Sequence, residues 1–140
     1  MFFSVTQTPA CKKDWTLAQG SCVRVFCGAT ISWMNAAQAC QQETSHLVRI
    51  DNAAMNDMIA SLNSNRPWPL QGLWIGATDS PTGQWTDVKG VPLTYFNWYT
   101  SEPDKSANQH YAYMNFMAQG KWVGRQAPLP TGCYACQYGM

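Results

Sequence analysis

Six cysteines in a chain of 140 residues restrict the fold of this protein more than any other feature of its sequence. In a small chain rich in turns, this many cysteines is typical of disulfide cross-links formed in an oxidising compartment. We therefore expect a secreted, extracellular protein whose small core is reinforced by covalent bridges. A leader peptide is expected to have been removed, because Met1-Phe2-Phe3 is too short to serve as one.

Two other uses of cysteine fit the sequence less well. Cys133 and Cys136 have a C-x-x-C spacing, but a zinc site would need a second such pair or nearby histidines. Both histidines, His46 and His110, are distant in sequence. A redox-active C-x-x-C pair would need a βαβ context, which the surrounding sequence does not provide. Disulfides are therefore the preferred interpretation.

The charge balance and the hydropathy pattern exclude several kinds of partner. Nine basic and eight acidic residues give a formal net charge of +1, so we expect no binding of nucleic acid. No apolar run is long enough to span a bilayer, so membrane insertion is not expected either. The length fits a single domain over residues 1–140, and we find no linker or internal repeat.

Two amphipathic helices are predicted in the first half of the chain. Ser32 is placed to cap the first helix, and either Asp51 or Asn52 can cap the second. Both helices carry an apolar face, which we expect to pack in the core. These faces are Trp33, Ala36, Ala37 and Cys40 in the first helix, and Met55, Met58, Ile59 and Leu62 in the second.

The rest of the chain alternates short apolar segments with Gly, Pro, Asn and Asp, a pattern that predicts strands and tight turns. Cys11 and Cys22 flank a turn-rich segment, which is expected to form a hairpin closed at its base. Strands are predicted at 22–27, at Leu47-Val48-Arg49-Ile50 and around Leu73–Ala77. Helices followed by a strand-rich remainder indicate the α+β class.

The order of the motifs resembles the C-type lectin-like domain in its long form. Trp74-Ile75-Gly76, Gly83-x-Trp85-x-Asp87, Asn97-Trp98 and the turn Glu102-Pro103-Asp104 are similar to the centre of that domain. The hairpin over 11–22, the first helix and the segment 134–138 resemble its N-terminal hairpin, first helix and closing strand. The similarity covers nearly the whole chain. It implies two helices packed on small antiparallel sheets, with a long loop region and disulfide staples.

The resemblance also implies how the cysteines pair. The family joins its first-helix cysteine to its closing-strand cysteine, which here gives Cys40–Cys136, and the long form adds Cys11–Cys22. Its usual second disulfide across the long loop has no counterpart, because Tyr111 and Ala127 stand at the matching positions. Cys27 and Cys133 are additions to the pattern. They lie where the first and last strands are expected to be neighbours, so we expect an intrachain bridge, with an interchain disulfide as the alternative.

A calcium site of the family's sugar-binding type would be incomplete in this chain. Calcium prefers about 6–8 oxygen ligands, several of them carboxylates. Glu102 and Asp104 match the first two ligands, but the next acidic ligand corresponds to Gln109. Lys121-Trp122-Val123-Gly124-Arg125 has Val and Gly where the family has Asn and Asp, and its two cations disfavour a divalent ion. We expect no required cofactor, although weak Ca2+ binding through Glu102 and Asp104 stays open.

The resemblance places carbohydrate binding at the loop around Glu102, Pro103 and Asp104, where the family has a cis proline. Carboxylates can accept hydrogen bonds from sugar hydroxyls, and sugar faces pack on aromatic rings. Trp98 is expected to anchor the loop in the core rather than to hold sugar. The other candidate contacts are Gln109, His110, Tyr113, Asn115 and Lys121, with Tyr99 and Tyr111 as further aromatic candidates.

The sequence therefore predicts a carbohydrate-binding lectin with reduced or no dependence on calcium, acting in innate recognition or agglutination. Weak single-site binding would make a homodimer or higher oligomer useful, and its partners would be glycans, microbial ones included. The alternative is a calcium-independent module that binds a protein, with ice or mineral ranked lower. An enzyme is not expected, because no nucleophile motif or spaced carboxylate pair is present.

Overall fold

A mixed β-sheet forms the centre of the structure, a computed structural model that describes residues 10–63, 72–104, 109–115, 120–126 and 131–139. Within these residues the strand order is β1-β2-β7-β4-β5-β6, and β3 pairs with β7 beside this path. The strands are β1 (Thr16–Ala18), β2 (Ser21–Ile31), β3 (His46–Leu47), β4 (Gly72–Thr78), β5 (Tyr111–Asn115), β6 (Lys121–Arg125) and β7 (Thr131–Gly139). The family's antiparallel pairs are therefore present, and a parallel pairing of β4 with β7 joins them into one sheet.

Both predicted helices form close to their expected positions. Helix α1 spans Trp33–Gln42, and the Ser32 hydroxyl accepts the Asn35 backbone N–H at 3.2 Å, which confirms the predicted cap. Helix α2 spans Ala53–Asn63. Its cap is Asn52 rather than Asp51, because the Asn52 side-chain oxygen accepts the Met55 backbone N–H at 2.8 Å. No helix in the described parts of the chain is long and apolar enough to cross a membrane.

The strand predicted at Leu47–Ile50 is shorter than expected. Only His46 and Leu47 pair with β7 as a strand, because Val48 then turns its carbonyl towards β4 and accepts the Gly76 N–H at 2.7 Å. This approach needs glycine: a Cβ at Gly76 would lie 2.5 Å from the Leu47 carbonyl oxygen. The segment after Leu47 therefore bridges β7 and β4 instead of extending β3.

All three expected disulfides are present, Cys11–Cys22, Cys40–Cys136 and Cys27–Cys133. Strands β2 and β7 are antiparallel neighbours, and their register places Cys27 directly opposite Cys133. The intrachain option for this pair is therefore the one the structure contains.

The core lies on both faces of the sheet. On one face, α1 packs Trp33, Ala36 and Cys40 against Trp74 of β4. The other face carries the larger apolar cluster, in which Leu73 and Ile75 meet Met55 and Ile59 of α2. Alternate residues of β4 thus serve opposite layers, which is why this strand is buried along its whole length.

Candidate functional site

The turn at Glu102–Asp104 is held against the outer edge of β6. The segment before it runs beside β6, where Trp122 donates its N–H to the Asn97 carbonyl at 2.8 Å and Tyr99 donates to the Trp122 carbonyl at 2.9 Å. Trp98 packs against Trp122 with ring centroids 5.7 Å apart, which confirms its predicted core role. The Glu102–Pro103 peptide bond is cis, as the family resemblance implies.

The carboxylate of Glu102 is fixed by the backbone of β6. Its Oε1 atom accepts the Gly124 N–H at 2.9 Å, while no described residue donates to its other oxygen. A Cβ at Gly124 would lie 3.6 Å from this Oε1 and 3.2 Å from the Gln109 carbonyl oxygen. The absence of a side chain at Gly124 therefore brings Glu102, Gln109 and β6 close together.

A cavity of about 200 Å³ opens beside this turn. Its lining residues are Asp79, Gly83, Pro103, Asp104, Gln109 and His110. The side-chain oxygen Oε1 of Gln109 is buried and has no hydrogen-bond partner among the described residues. This volume is below the 300–1,000 Å³ typical of pockets for drug-sized ligands, so the cavity suits a group about as large as one sugar ring.

One wall of the cavity is a histidine held by the end of β4. The His110 carbonyl accepts the Thr78 hydroxyl at 2.8 Å and the Asp79 N–H at 3.1 Å. The His110 Nδ1 atom lies 2.7 Å from the Asp79 carboxylate. Gly83 closes the turn after β4 by donating its N–H to the Asp79 carbonyl at 2.6 Å. Both the backbone and the ring of His110 are therefore fixed by neighbouring residues.

The structure brings together five of the eight predicted site residues: Glu102, Pro103, Asp104, Gln109 and His110. The other three lie elsewhere. Tyr113 faces the α1 side of the sheet, where its ring packs on Trp74.

Asn115 and Lys121 pair with each other at the far end of the β5–β6 hairpin. Along its own strand, each is three residues, or about 10 Å, from the pair formed by Ala112 and Gly124. The Lys121 ammonium donates to the Asn97 side-chain oxygen at 3.0 Å.

Asp79 and Gly83 line the cavity but were absent from the predicted contacts. The sequence did offer one indication for Asp79. It is an acid between a predicted buried strand and the turn residues Ser80-Pro81, so it is expected at the end of that strand. Its significance depends on the antiparallel pairing of β4 with β5, which places Thr78 opposite Tyr111 and so brings Asp79 to His110. The pairing of β4 with β5 cannot be predicted from the local sequence.

The residues at this turn do not fit a complete calcium site. Glu102 and Asp104 supply carboxylates, but one Glu102 oxygen is engaged by a backbone N–H, and Val123 and Gly124 have no ligating side chain. Within the described residues, no group of three or more His, Cys, Asp or Glu side chains is arranged to hold a metal. Counted over the described residues, the donor set falls short of the six or more oxygens that calcium prefers.

Only one of the two cations flanking Gly124 stays beside it in the structure. Lys121 is bonded to Asn97 at the far end of the hairpin, so its charge does not face Glu102. The Arg125 guanidinium lies over the Tyr113 ring at 5.0 Å and donates to the Gly124 carbonyl at 2.9 Å. Missing ligands, rather than repulsion by Lys121, are thus the reason that the calcium site is incomplete.

The chain is similar in sequence to known lectins. The chain is 33% identical over 114 residues to an alpha-N-acetylgalactosamine-specific lectin of Patiria pectinifera, an alignment covering 76% of this chain and 66% of that protein. It spans much less, 8% to 33%, of several longer proteins that it also matches, among them C-type mannose receptor 2 of Homo sapiens.

Solved structures show the same fold. The C-type lectin CEL-I from Cucumaria echinata superposes with a TM-score of 0.81 and 25% identity, covering 92% of this chain and 97% of that one. A calcium-independent type II antifreeze protein has a TM-score of 0.83 at 19% identity, with 96% and 98% coverage, which shows the fold alone. The family model for the lectin C-type domain matches residues 29–132. The chain therefore belongs to the C-type lectin domain family.

Proposed function

We propose that this domain is a carbohydrate-binding lectin that recognises glycans at the Glu102–Asp104 turn with reduced or no dependence on calcium. The observation that carries the proposal is the hydrogen bond from the Gly124 N–H to the Glu102 carboxylate. This bond is a contact within the protein that helps to hold the turn in place. No described residue donates to the second oxygen of Glu102, so a ligand hydroxyl can donate to it.

The chemistry of the cavity supports a polyhydroxylated ligand. The acids Asp79 and Asp104 line the cavity. Carboxylates accept hydrogen bonds, and a saccharide offers several hydroxyl donors in a small volume. Proline at 103 adds an apolar surface at the same turn.

The relative from Patiria pectinifera supports the same function, because it is a lectin specific for alpha-N-acetylgalactosamine. Hydrogen bonding and packing without a metal would give a single-site dissociation constant near the millimolar range, about −4 kcal/mol. We therefore propose that the protein works as a secreted dimer or higher oligomer, in which several weak sites act together in agglutination or innate recognition.

A glycan array probed in calcium and again in EDTA tests the proposal. We expect binding that persists in EDTA, and a loss of binding in the Glu102→Gln variant, which keeps the size of the side chain but removes its charge. Asp57→Asn is the matched control, because Asp57 is an exposed acid on α2. Complete loss of wild-type binding in EDTA would contradict calcium independence. Absence of binding in both conditions would contradict the lectin function.

Protein binding is the second candidate, and exposed aromatic surface near the turn favours it. Phe96 is 41% exposed and Tyr99 is 49% exposed. Tyr99 lies directly before the turn, and its carbonyl accepts the Glu102 N–H at 2.9 Å. Aromatic residues at a surface are typical of protein interfaces. A negative glycan array together with a partner lost in a Phe96→Ser/Tyr99→Ser variant would favour this candidate.

A further inference from the structure

We propose that Asp79 is a positioning residue of the cavity, which orients the His110 imidazole so that its Nε2 atom contacts the bound saccharide. The inference rests on the saccharide-binding function proposed above. It adds the residue directly after β4, outside the Glu102–Asp104 turn, to the determinants of binding.

The first observation is how firmly a half-exposed side chain is held. The His110 side chain is 47% exposed, whereas the Asp79 side chain is only 13% exposed. A surface side chain ordinarily keeps several rotamers, and restricting it costs conformational entropy. Here the His110 carbonyl has two donors from Thr78 and Asp79, and the ring contacts the Asp79 carboxylate at 2.7 Å. The contact with Asp79 restricts the ring, and the two bonds to the carbonyl hold the backbone that carries it.

The same arrangement leaves the Nε2 atom of His110 available for a hydrogen bond. Because a carboxylate can only accept, the Nδ1 atom of His110 carries the hydrogen in this contact. When the ring is neutral, Nε2 is then a hydrogen-bond acceptor, since the partner of one ring nitrogen sets the state of the other. No described residue bonds Nε2, and the ring lines the cavity beside Pro103 and Gln109. A saccharide hydroxyl can therefore donate to Nε2.

Two substitutions of His110 each imitate one ring nitrogen. They distinguish a hydrogen bond to the saccharide from a merely structural role of the side chain. In His110→Gln the amide lies near the position of Nε2, and in His110→Asn it lies near the position of Nδ1. We expect His110→Gln to retain binding to an array of N-acetylgalactosamine-, galactose- and mannose-terminated glycans. We expect His110→Asn to weaken binding about three- to tenfold, the effect of one lost hydrogen bond.

Variants of Asp79 test the positioning step. Asp79→Ala should weaken binding by a similar factor, and Asp79→Asn should recover part of it, because its side-chain oxygen can still accept from Nδ1–H. The control is Asp57→Ala, which removes an exposed acid on α2. Should Asp79→Ala fail to fold, the two His110 variants decide the matter, since both leave Asp79 in place.

Nitrogen-15 NMR of the His110 ring gives a readout that does not depend on any sugar. The ligand-free wild type at a pH where the ring is neutral should show the Nδ1–H tautomer, and Asp79→Ala should show a mixture. An Nε2–H tautomer in the wild type would overturn the inference. Full binding by His110→Asn with loss in His110→Gln would also overturn it. If the wild type binds no glycan but shows the expected tautomer, the proposed lectin function is wrong. The contact of Nε2 with a saccharide is then wrong as well, although the contact between Asp79 and His110 is not contradicted.

Discussion

The side-chain oxygen of Asn56 accepts a hydrogen bond from the Trp122 indole N–H at 2.7 Å, joining α2 to β6. Both side chains are buried, with Asn56 1% and Trp122 0% exposed. The Asn56 amide also donates to the Gly120 carbonyl at 3.2 Å. One amide thus satisfies a buried donor and a buried acceptor at the start of the strand on which the Glu102 turn rests.

Asn56→Leu should lower the free energy of unfolding by about 1–3 kcal/mol, because the Trp122 indole N–H would be buried without a partner. Urea unfolding followed by tryptophan fluorescence measures the change. The double variant Asn56→Leu/Trp122→Phe removes both members of the pair and should lose less stability than the sum of the losses in the two single variants. Additive losses in the double variant would show that the hydrogen bond is not the source of the effect.

The buried carboxylate of Asp87 should make stability depend on pH. It is 7% exposed and accepts the Lys89 and Val91 N–H groups at 2.9 and 3.0 Å, and the Arg49 guanidinium at 3.0 Å. Burial by itself raises the pKa of this carboxyl, but the hydrogen bonds from Val91, Arg49 and Lys89 outweigh burial and lower the pKa. The charged form is therefore favoured in the folded protein.

Since the folded pKa of Asp87 is below its unfolded value, its stabilisation should be complete above about pH 4 and should be lost as the pH falls through the folded pKa. Asp87→Asn should reduce stability at pH 7 and flatten the fall in stability below pH 4. Unfolding free energies from pH 7 to pH 2 measure both effects, with Asp57→Asn as the exposed control. Parallel pH curves for the wild type and Asp87→Asn would contradict this explanation.

The Cys27–Cys133 bridge should contribute to stability and not to assembly. It links strands separated by 106 residues in sequence, and closing so long a loop restricts the unfolded chain strongly. Cys27→Ser/Cys133→Ser should therefore cost about 2–5 kcal/mol of unfolding free energy. Non-reducing electrophoresis should show no covalent dimer for the wild type. A disulfide-linked dimer that disappears in the double variant would show that these cysteines also pair between chains.

Local patterns in the sequence predicted the helices well, because each depends on residues close in the chain. Ser32 caps α1 as expected, and the apolar face of α2 is buried at Met55 and Ile59. The pairing of Cys27 with Cys133 followed from the expected neighbourhood of the first and last strands. The helices could be predicted from periodicity and capping, whereas the structure was needed to decide between an intrachain and an interchain bridge for Cys27 and Cys133.

The candidate site could be predicted only in part, because its outer residues depend on strand register. Lys121 is close to Gly124 in sequence, but an extended strand separates them by about 10 Å and directs Lys121 to Asn97. Asp79 is distant from His110 in sequence, yet the pairing of β4 with β5 brings them together. Neither relationship is visible in composition or local spacing.

Restoring the family's ligands to β6 should restore a response to calcium. In Val123→Asn/Gly124→Asp, a carboxylate and an amide would join Glu102 and Asp104, and the crowded acids would favour a cation. Calcium at 100 times its dissociation constant would then add about 2.7 kcal/mol to stability, seen as a rise in Tm. The wild type should show no such rise.

Gly124→Ala is the matched control for this variant, because it adds the same Cβ, 3.2 Å from the Gln109 carbonyl oxygen, without a carboxylate. It should lose a little stability through this close contact and show no calcium response. A calcium-dependent rise in the Tm of the wild type would mean that Glu102, Asp104 and neighbouring oxygens already hold the ion. The hydrogen bond from Gly124 to Glu102 would then not be the contact that holds the turn.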